Sequence, residues 1–216
     1  MILREIRIFS DEDIPGEKPE EMFHRQAESM CSFFSSFLYK KKIRTKVKVI
    51  NVECRSTEVL ERTLAIDGFL DVCVHYDIKN FAQQSEQQKK VIQLEVIMLG
   101  LKKACNYLSL DYASFEEIQK EIIALNYQHH FIWKRPKFSP DRKQKVFVKV
   151  DWGTQKIDLT LFIEDKQGTI LLQKAVPINH PGSMGLDILG KLKWLDNDTV
   201  ELKHRYIKSE VYTFTV

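Results

Sequence analysis

The sequence predicts an α+β protein, with N-terminal strands and helices followed by a C-terminal antiparallel β-meander packed on a long helix. Three observations carry that expectation. Apolar residues recur at both helical and alternating spacing up to about residue 128, but only at alternating spacing beyond Pro140. One helical stretch, residues 84–108, is apolar over most of its circumference and needs cover. Turn-forming residues then punctuate the last third, at Asp165 to Gly168 and Asp196 to Asp198.

Residues 2–9 carry Ile2, Ile6 and Ile8 on one parity, the mark of a strand. After a polar loop, Pro19 is placed to start a helix, with Glu20 and Glu21 in its first turn. Met22, Phe23, Ala27, Met30, Phe34, Phe37 and Leu38 form its apolar stripe, and Lys40 to Lys42 suit its C-terminus. In residues 43–52, Ile43, Thr45, Val47 and Val49 oppose Arg44, Lys46 and Lys48, which predicts a second strand. Residues 69–77 alternate more cleanly: Leu70, Val72, Val74 and Tyr76 against Asp71, Cys73, His75 and Asp77. The long helix follows, with Val91, Leu94, Ile97, Met98, Leu101, Ala104, Cys105 and Leu108 to bury. Ser114 and Glu117 have the spacing of a capping box, opening a third helix to about Asn126.

Residues 144–216 read as six strands. Their inward sets are Val146/Val148/Val150, Ile157/Leu159/Leu161/Ile163, Ile170/Leu172, Leu192/Trp194, Val200/Leu202 and Tyr212/Phe214. The chain thus divides into an α/β part at 1–133, a basic proline-containing connector at 134–143, and a β-sheet part at 144–216. Pro136 and Pro140 disfavour helix before them, so the connector is expected to be extended, stiff and exposed.

Composition narrows the function. With 33 bases and 30 acids in 216 residues the net charge is +3, too small to imply a polyanion partner for the whole molecule. Cys31, Cys54, Cys73 and Cys105 are widely spaced, without zinc-finger or disulfide-framework spacing, and read as free thiols in a reducing compartment. The N-terminal apolar run contains Arg4 and Glu5, and the greasiest stretch, residues 91–101, is too short to span a bilayer. The expectation is a cytoplasmic protein with no membrane association. Glycine is scarce, eight in all, with no phosphate-binding glycine motif; Gly182-Ser183-Met184-Gly185 lacks the lysine of a P-loop. No cofactor is expected.

Several clusters could carry chemistry. His75 and Asp77 share a strand face with Asp71 and Cys73. Their roots lie nearly 7 Å apart along the chain, so one metal reaches at most two, and an exposed face ion-paired to Arg44, Lys46 and Lys48 explains them better. Asp141, Glu164 and Lys166 spell a P-D…E-x-K nuclease pattern, in which two carboxylates hold a metal and the lysine approaches the phosphate. Residues 164–168 are equally a charged hairpin turn, and the helix such nucleases place after E-x-K is a strand here. His129 and His130 read as a polar pair at a helix end, and Ser183 beside His180 lacks a nucleophile elbow.

Two basic runs remain: six bases without an acid at 40–48, and seven against Asp141 at 134–149. In the second, Trp133, Lys134, Arg135, Lys137, Arg142 and Lys143 are the candidate binding residues, with Trp133 and Phe138 available to stack. A helix C-terminus and a solvated joint are the plainer explanations.

"FIWKRPKFSPDRK", "IEDKQGTILLQK" and "LGKLKWLDNDTVEL" give the chain a likeness, over about residues 90–202, to one family. It resembles bacterial immunity proteins, small cytosolic proteins encoded beside polymorphic or contact-delivered toxins. The resemblance implies a protein that binds and occludes a cognate toxin without catalysis, and no catalytic residue follows from it. The sequence therefore leads to a non-catalytic protein-binding module with a protein partner, against the alternative of a nucleic-acid-binding protein or metal-dependent nuclease using the basic connector.

Overall fold

The computed structural model describes residues 1–10, 23–56, 63–178 and 182–216, with the side chains of 182–184 excepted. Expectations for Pro19, Glu20, Glu21, Met22 and His180 lie outside it. The chain is α+β and divides into two compact units, Met1–His129 and His130–Val216.

In the first unit, β1 (Glu5–Phe9), β2 (Val49–Arg55) and β4 (Phe69–His75) run parallel, and β3 (Thr63–Ile66) pairs antiparallel with β4, in the order β1-β2-β4-β3. Parallel pairing needs a crossover, which α1 (Phe23–Lys41) supplies between β1 and β2. The register stacks Ile6, Ile50 and Leu70 in one rung and Ile8, Val52 and Val72 in the next, all buried. Under these rungs pack α1, α2 (Glu86–Leu108) and α3 (Ala113–Ala124), contributing Phe34, Leu94, Ile97, Leu101, Phe115 and Ile118 to one core.

The helices begin and end as their backbones require. In α2, the Ser85 hydroxyl accepts from the Gln88 amide while the Gln88 side chain accepts from the Ser85 amide; Ser109 closes the helix at φ 53°. The capping box expected at Ser114 is replaced by the Asp111 carboxylate, which accepts from the Ala113 amide at 3.1 Å and the Ser114 hydroxyl at 3.5 Å. The second strand also differs from expectation. Residues 43–48 are stitched singly to residues 1–5, and the strand proper starts at Val49 with Ile50, Val52 and Cys54 inward, the opposite parity. Apolar residues on both parities, Val47 and Val49 on one and Ile50 and Val52 on the other, leave parity undecided in sequence.

The second unit holds two antiparallel sheets. β5 (His129–Phe138), β6 (Gln144–Trp152), β7 (Ile157–Asp165) and β8 (Ile170–Ala175) form one, in that order. β9 (Lys191–Trp194), β10 (Thr199–Lys203) and β11 (Val211–Thr215) form the other, ordered β11-β10-β9. Among the described residues six strands run from residue 144 onward, as the sequence predicts, and Val146, Val148, Val150, Leu159, Leu161, Ile163, Leu192, Val200 and Leu202 are buried in one cluster. Ile170 is the exception at 52% exposed. A register shift pairs Ile163 with Leu172 but Glu164 with Ile170, so one extra residue turns Ile170 to the outer face.

The long helix and the meander fall in different units. The buried residues of α2 belong to the first unit's core, and the meander's inward residues form a cluster of their own. In place of a separate connector at 134–143, residues 134–138 complete β5, residues 139–143 turn the chain into β6, and the changeover between units falls at His129 and His130.

Gly100 sets the distance between α2 and β2. A Cβ there would lie 2.3 Å from Val52 Cγ2, 2.6 Å from Cγ1 and 3.0 Å from Cβ, so no valine rotamer clears it. Helix propensity favours alanine over glycine by about 1 kcal/mol, whereas overpacking costs about 1–3 kcal/mol. Gly100→Ala should therefore destabilise the first unit in urea denaturation, and Val52→Ala in the same chain should recover part of the loss. Stabilisation by Gly100→Ala would refute the close contact.

Candidate functional site

The basic segment is a strand whose cations are unequally free. Lys134 has φ 56°, in the left-handed region; its ammonium lies 4.3 Å from the centre of the half-buried Trp133 ring and donates to the Gly190 carbonyl at 3.3 Å. Lys137 donates to the Leu192 carbonyl at 2.7 Å, and its own carbonyl accepts from Trp194 Nε1 at 2.9 Å. These contacts tie β5 to β9. Lys134, Lys137 and Trp133 are thereby used in holding the two sheets together, while Arg135, Arg142 and Lys143 are exposed. Pro136 is tolerated because β5 is an edge strand.

Where β5 turns into β6, a groove opens. Antiparallel pairing sets Gln144 opposite Asp165 and Lys145 opposite Glu164, which brings the 139–143 turn beside the β7–β8 turn. The depression, about 850 Å³, is lined by Phe138, Ser139, Arg142, Lys143, Gln144, Lys145, Asp165 and Lys166. Phe138 is 62% exposed on its wall. Four cations thus face one carboxylate among the lining residues.

The turn aspartates explain that imbalance. Asp141 accepts from the Lys143 amide at 3.0 Å and the Ser139 hydroxyl at 2.7 Å. Those donors, the backbone amide first, hold its carboxyl below the usual range. Asp165 accepts from the Thr169 and Gln167 amides at 2.8 and 2.9 Å and is lowered chiefly by the first. Both serve their own backbone. Lys143 remains 3.6 Å from Asp141, and Lys145 pairs with Glu164 at 2.8 Å, but Arg142 and Lys166 have no carboxylate partner among the described residues.

Of the residues in the nuclease pattern, Asp141 shapes a turn, Glu164 pairs with Lys145 across its strand rung, and Lys166 sits in the turn after β7. His75 Nε2 lies 3.1 Å from the Ser56 carbonyl and Asp77 accepts from the Lys79 amide at 3.0 Å, so this pair too is engaged separately. Asp71 accepts from Asn51 at 2.7 Å, which replaces the expected ion pairing to Arg44, Lys46 and Lys48. His130 is not a helix-end residue; its Nδ1 lies 2.9 Å from the Asp151 carboxylate across the sheet. All four cysteines are free and buried, and burial pushes the Cys31 thiol up to about 12 and Cys105 to about 11, far from a nucleophilic thiolate. Among the described residues no group of three or more His, Cys, Asp and Glu is placed to share a metal, and no helix is long and apolar enough to cross a membrane.

What the arrangement offers is an apolar, exposed phenyl ring inside a cationic rim. Sequence reasoning found Arg142 and Lys143 but not Lys145 as a neighbour. The only signal for it was the alternation that fixes the β6–β7 register.

The turn carboxylates give a pH dependence with a definite sign. Asp141, Asp165 and Asp196, the last lowered chiefly by the Asp198 amide, are all depressed. Their stabilisation is full above the unfolded carboxylate value and is lost as pH falls through the lower folded values, below about 4. Replacing all three by asparagine should flatten the acid limb of the second unit's stability profile; an unchanged slope would show that other groups carry it.

Comparison with protein-family models, with curated proteins and with solved structures gives no match for this chain, so its function rests on the geometry of its own sites.

Proposed function

We propose that this chain is a non-catalytic binding protein whose second unit engages an acidic protein surface through the Phe138 groove. The observation that carries the reading is the pairing of an exposed aromatic with a cation-rich rim: among the described residues Arg142 and Lys166 have no carboxylate partner, while Lys143 and Lys145 lie beside Asp141 and Glu164. Interfaces gain most of their energy from a few aromatic and arginine anchors surrounded by weaker polar contacts. Phe138 and Arg142 fit the anchor role, and the lysines fit a rim that steers encounter. Both turns are pre-shaped by their aspartates, so little backbone entropy is lost on docking.

A phosphate backbone is a poorer fit at this place. Of the two rings available to stack on the basic strand, Trp133 is half-buried under the Lys134 ammonium and only Phe138 is exposed, while Lys134 and Lys137 bond to the carbonyls of Gly190 and Leu192. If the immunity-protein resemblance holds, the acidic surface belongs to a toxin, and occluding it is the activity. In that case the protein works by affinity alone, and its specificity lies in how the partner's carboxylates match these four cations.

Two kinds of change should separate anchor from rim in the association of the purified partner. Phe138→Ala should weaken binding about tenfold, chiefly through faster dissociation. Arg142→Glu with Lys143→Glu and Lys166→Glu should slow association and reduce its salt dependence. Circular dichroism should be unchanged in both. A partner whose binding survives every one of these substitutions, or one released by nuclease treatment, would refute the reading.

A further inference from the structure

We propose that the amino-terminal edge of the first unit's sheet is a separate binding site for single-stranded nucleic acid, built from Arg4, Arg44, Lys46, Lys48, Phe69 and Tyr107. The backbone fixes the cations before any ligand arrives. Leu3 donates to the Ile43 carbonyl at 2.9 Å, Thr45 to Met1 at 3.0 Å, Arg4 to Lys48 at 2.8 Å, and Lys48 to Gly68 at 2.6 Å. Val47 is buried, so the flanking Lys46 and Lys48 turn outward, and Arg4 and Arg44 are exposed beside them. Two neighbouring depressions result. One, about 420 Å³, is lined by Met1, Ile2, Arg4, Arg44 and Lys48. The other, about 350 Å³, contains Lys46, Ile66, Asp67, Phe69 and Tyr107 among its walls. They adjoin at the Lys48–Gly68 hydrogen bond, since Lys48 lines the first and Gly68 the second.

The charge there is unopposed. Arg4, Arg44, Lys46 and Lys48 have no carboxylate within ion-pair distance among the described residues, and Asp67 is the one acid in either wall. In most proteins a run of bases is a solvated face. Here a second feature accompanies it. Phe69 and Tyr107 are 41% and 54% exposed, they come from different elements, and neither stacks on another ring of the described residues. Exposed rings beside fixed cations are what unpaired bases recognise: every base has a face to stack, and the phosphates follow the charges. A duplex hides its bases in the stack and offers the rings nothing, so a single strand is the ligand that uses both features. An anionic membrane would use the charge but leave the two rings without a specific role; an acidic protein could anchor on a ring, as at Phe138, but cations running beside two separate rings match the alternation of phosphate and base along a strand. This site also uses Arg44, Lys46 and Lys48 of the first basic run, which the Phe138 groove does not involve.

The test uses the full chain and a fluorescent twelve-nucleotide oligo(dT) or oligo(U), followed by anisotropy from 50 to 300 mM salt. Those lengths and salts span the range where a few phosphate contacts are measurable. Affinity should fall with salt at about 0.7 logarithmic units per phosphate contacted, giving a slope near −2 to −3. Arg44→Gln with Lys48→Gln should weaken binding at least about tenfold and flatten that slope by about 1.4. Phe69→Ala or Tyr107→Ala should weaken it about tenfold without changing the slope. Arg142→Glu with Lys166→Glu, in the second unit, should leave it unaltered. The proposal is overturned if wild type fails to bind either oligonucleotide at 50 mM salt, if a blunt duplex binds as tightly, or if the second-unit substitutions abolish binding while the first-unit ones do not. Binding to phosphatidylserine vesicles in place of the oligonucleotides would likewise replace it with a membrane site.

Discussion

The pairing of β6 with β7 fixes more of the second unit than any other interaction. Four buried rungs, Val146–Ile163, Val148–Leu161, Val150–Leu159 and Trp152–Ile157, lock the register, because a slip of one residue would turn all eight side chains to the surface. The same register decides the outer face. Lys145 meets Glu164, Phe147 stacks on Phe162 at 5.3 Å, and Asp151 is set opposite Asp158. Like charges opposite one another are unfavourable; Asp158 pairs with Lys156 at 2.8 Å, and Asp151 lies 2.9 Å from His130 Nδ1. The groove at the end of this ladder is a by-product of the same alignment: two turns sit side by side because the strands leading to them are in register.

Local electrostatics follow from how the turns are built. A chain with a net charge of +3 has no general excess of bases. Yet the carboxylates at its turns accept hydrogen bonds from backbone amides, as Asp141, Asp165 and Asp196 do, and of these Asp141 also lies 3.6 Å from the Lys143 ammonium. Glu201 illustrates the other arrangement, lying between Lys193 at 3.2 Å and Lys203 at 3.5 Å on the second sheet. Cationic patches therefore arise where acids are committed to the main chain, as in the Phe138 groove. At the first unit's amino edge the cause is different: there the sequence supplies no acid between residues 40 and 48.

Much of the fold was legible because its side chains alternate cleanly. The six C-terminal strands, the buried stripe of α1 and the extent of α2 follow from spacing alone. Failures cluster where the period is ambiguous or interrupted. The run from Val47 to Cys54 is apolar on both parities, and only pairing with Ile6 and Ile8 on one side and Leu70 and Val72 on the other selects Ile50 and Val52 as inward. Ile170 faces outward because of a one-residue bulge that no local pattern announces. Pro136 and Pro140 suggested a joint between halves, but proline is compatible with an edge strand, and β5 is one.

By itself the sequence determined the class of fold, the four free thiols and the presence of two basic runs, since these depend on composition and on side-chain period. It also placed Arg142 and Lys143 among the candidate binding residues. Only the tertiary structure decided which cations are free. Lys134 and Lys137 are drawn to the carbonyls of Gly190 and Leu192, more than fifty positions away, while Lys166 joins Arg142 across a turn. It likewise separated the two hydrophobic cores and gave the long helix to the N-terminal sheet, through a contact between Gly100 and Val52. The physical reason is common to all of these. Periodicity tells which way a side chain points relative to its own element, whereas partners distant in sequence are chosen by how the elements dock, and that is set by packing and register between them.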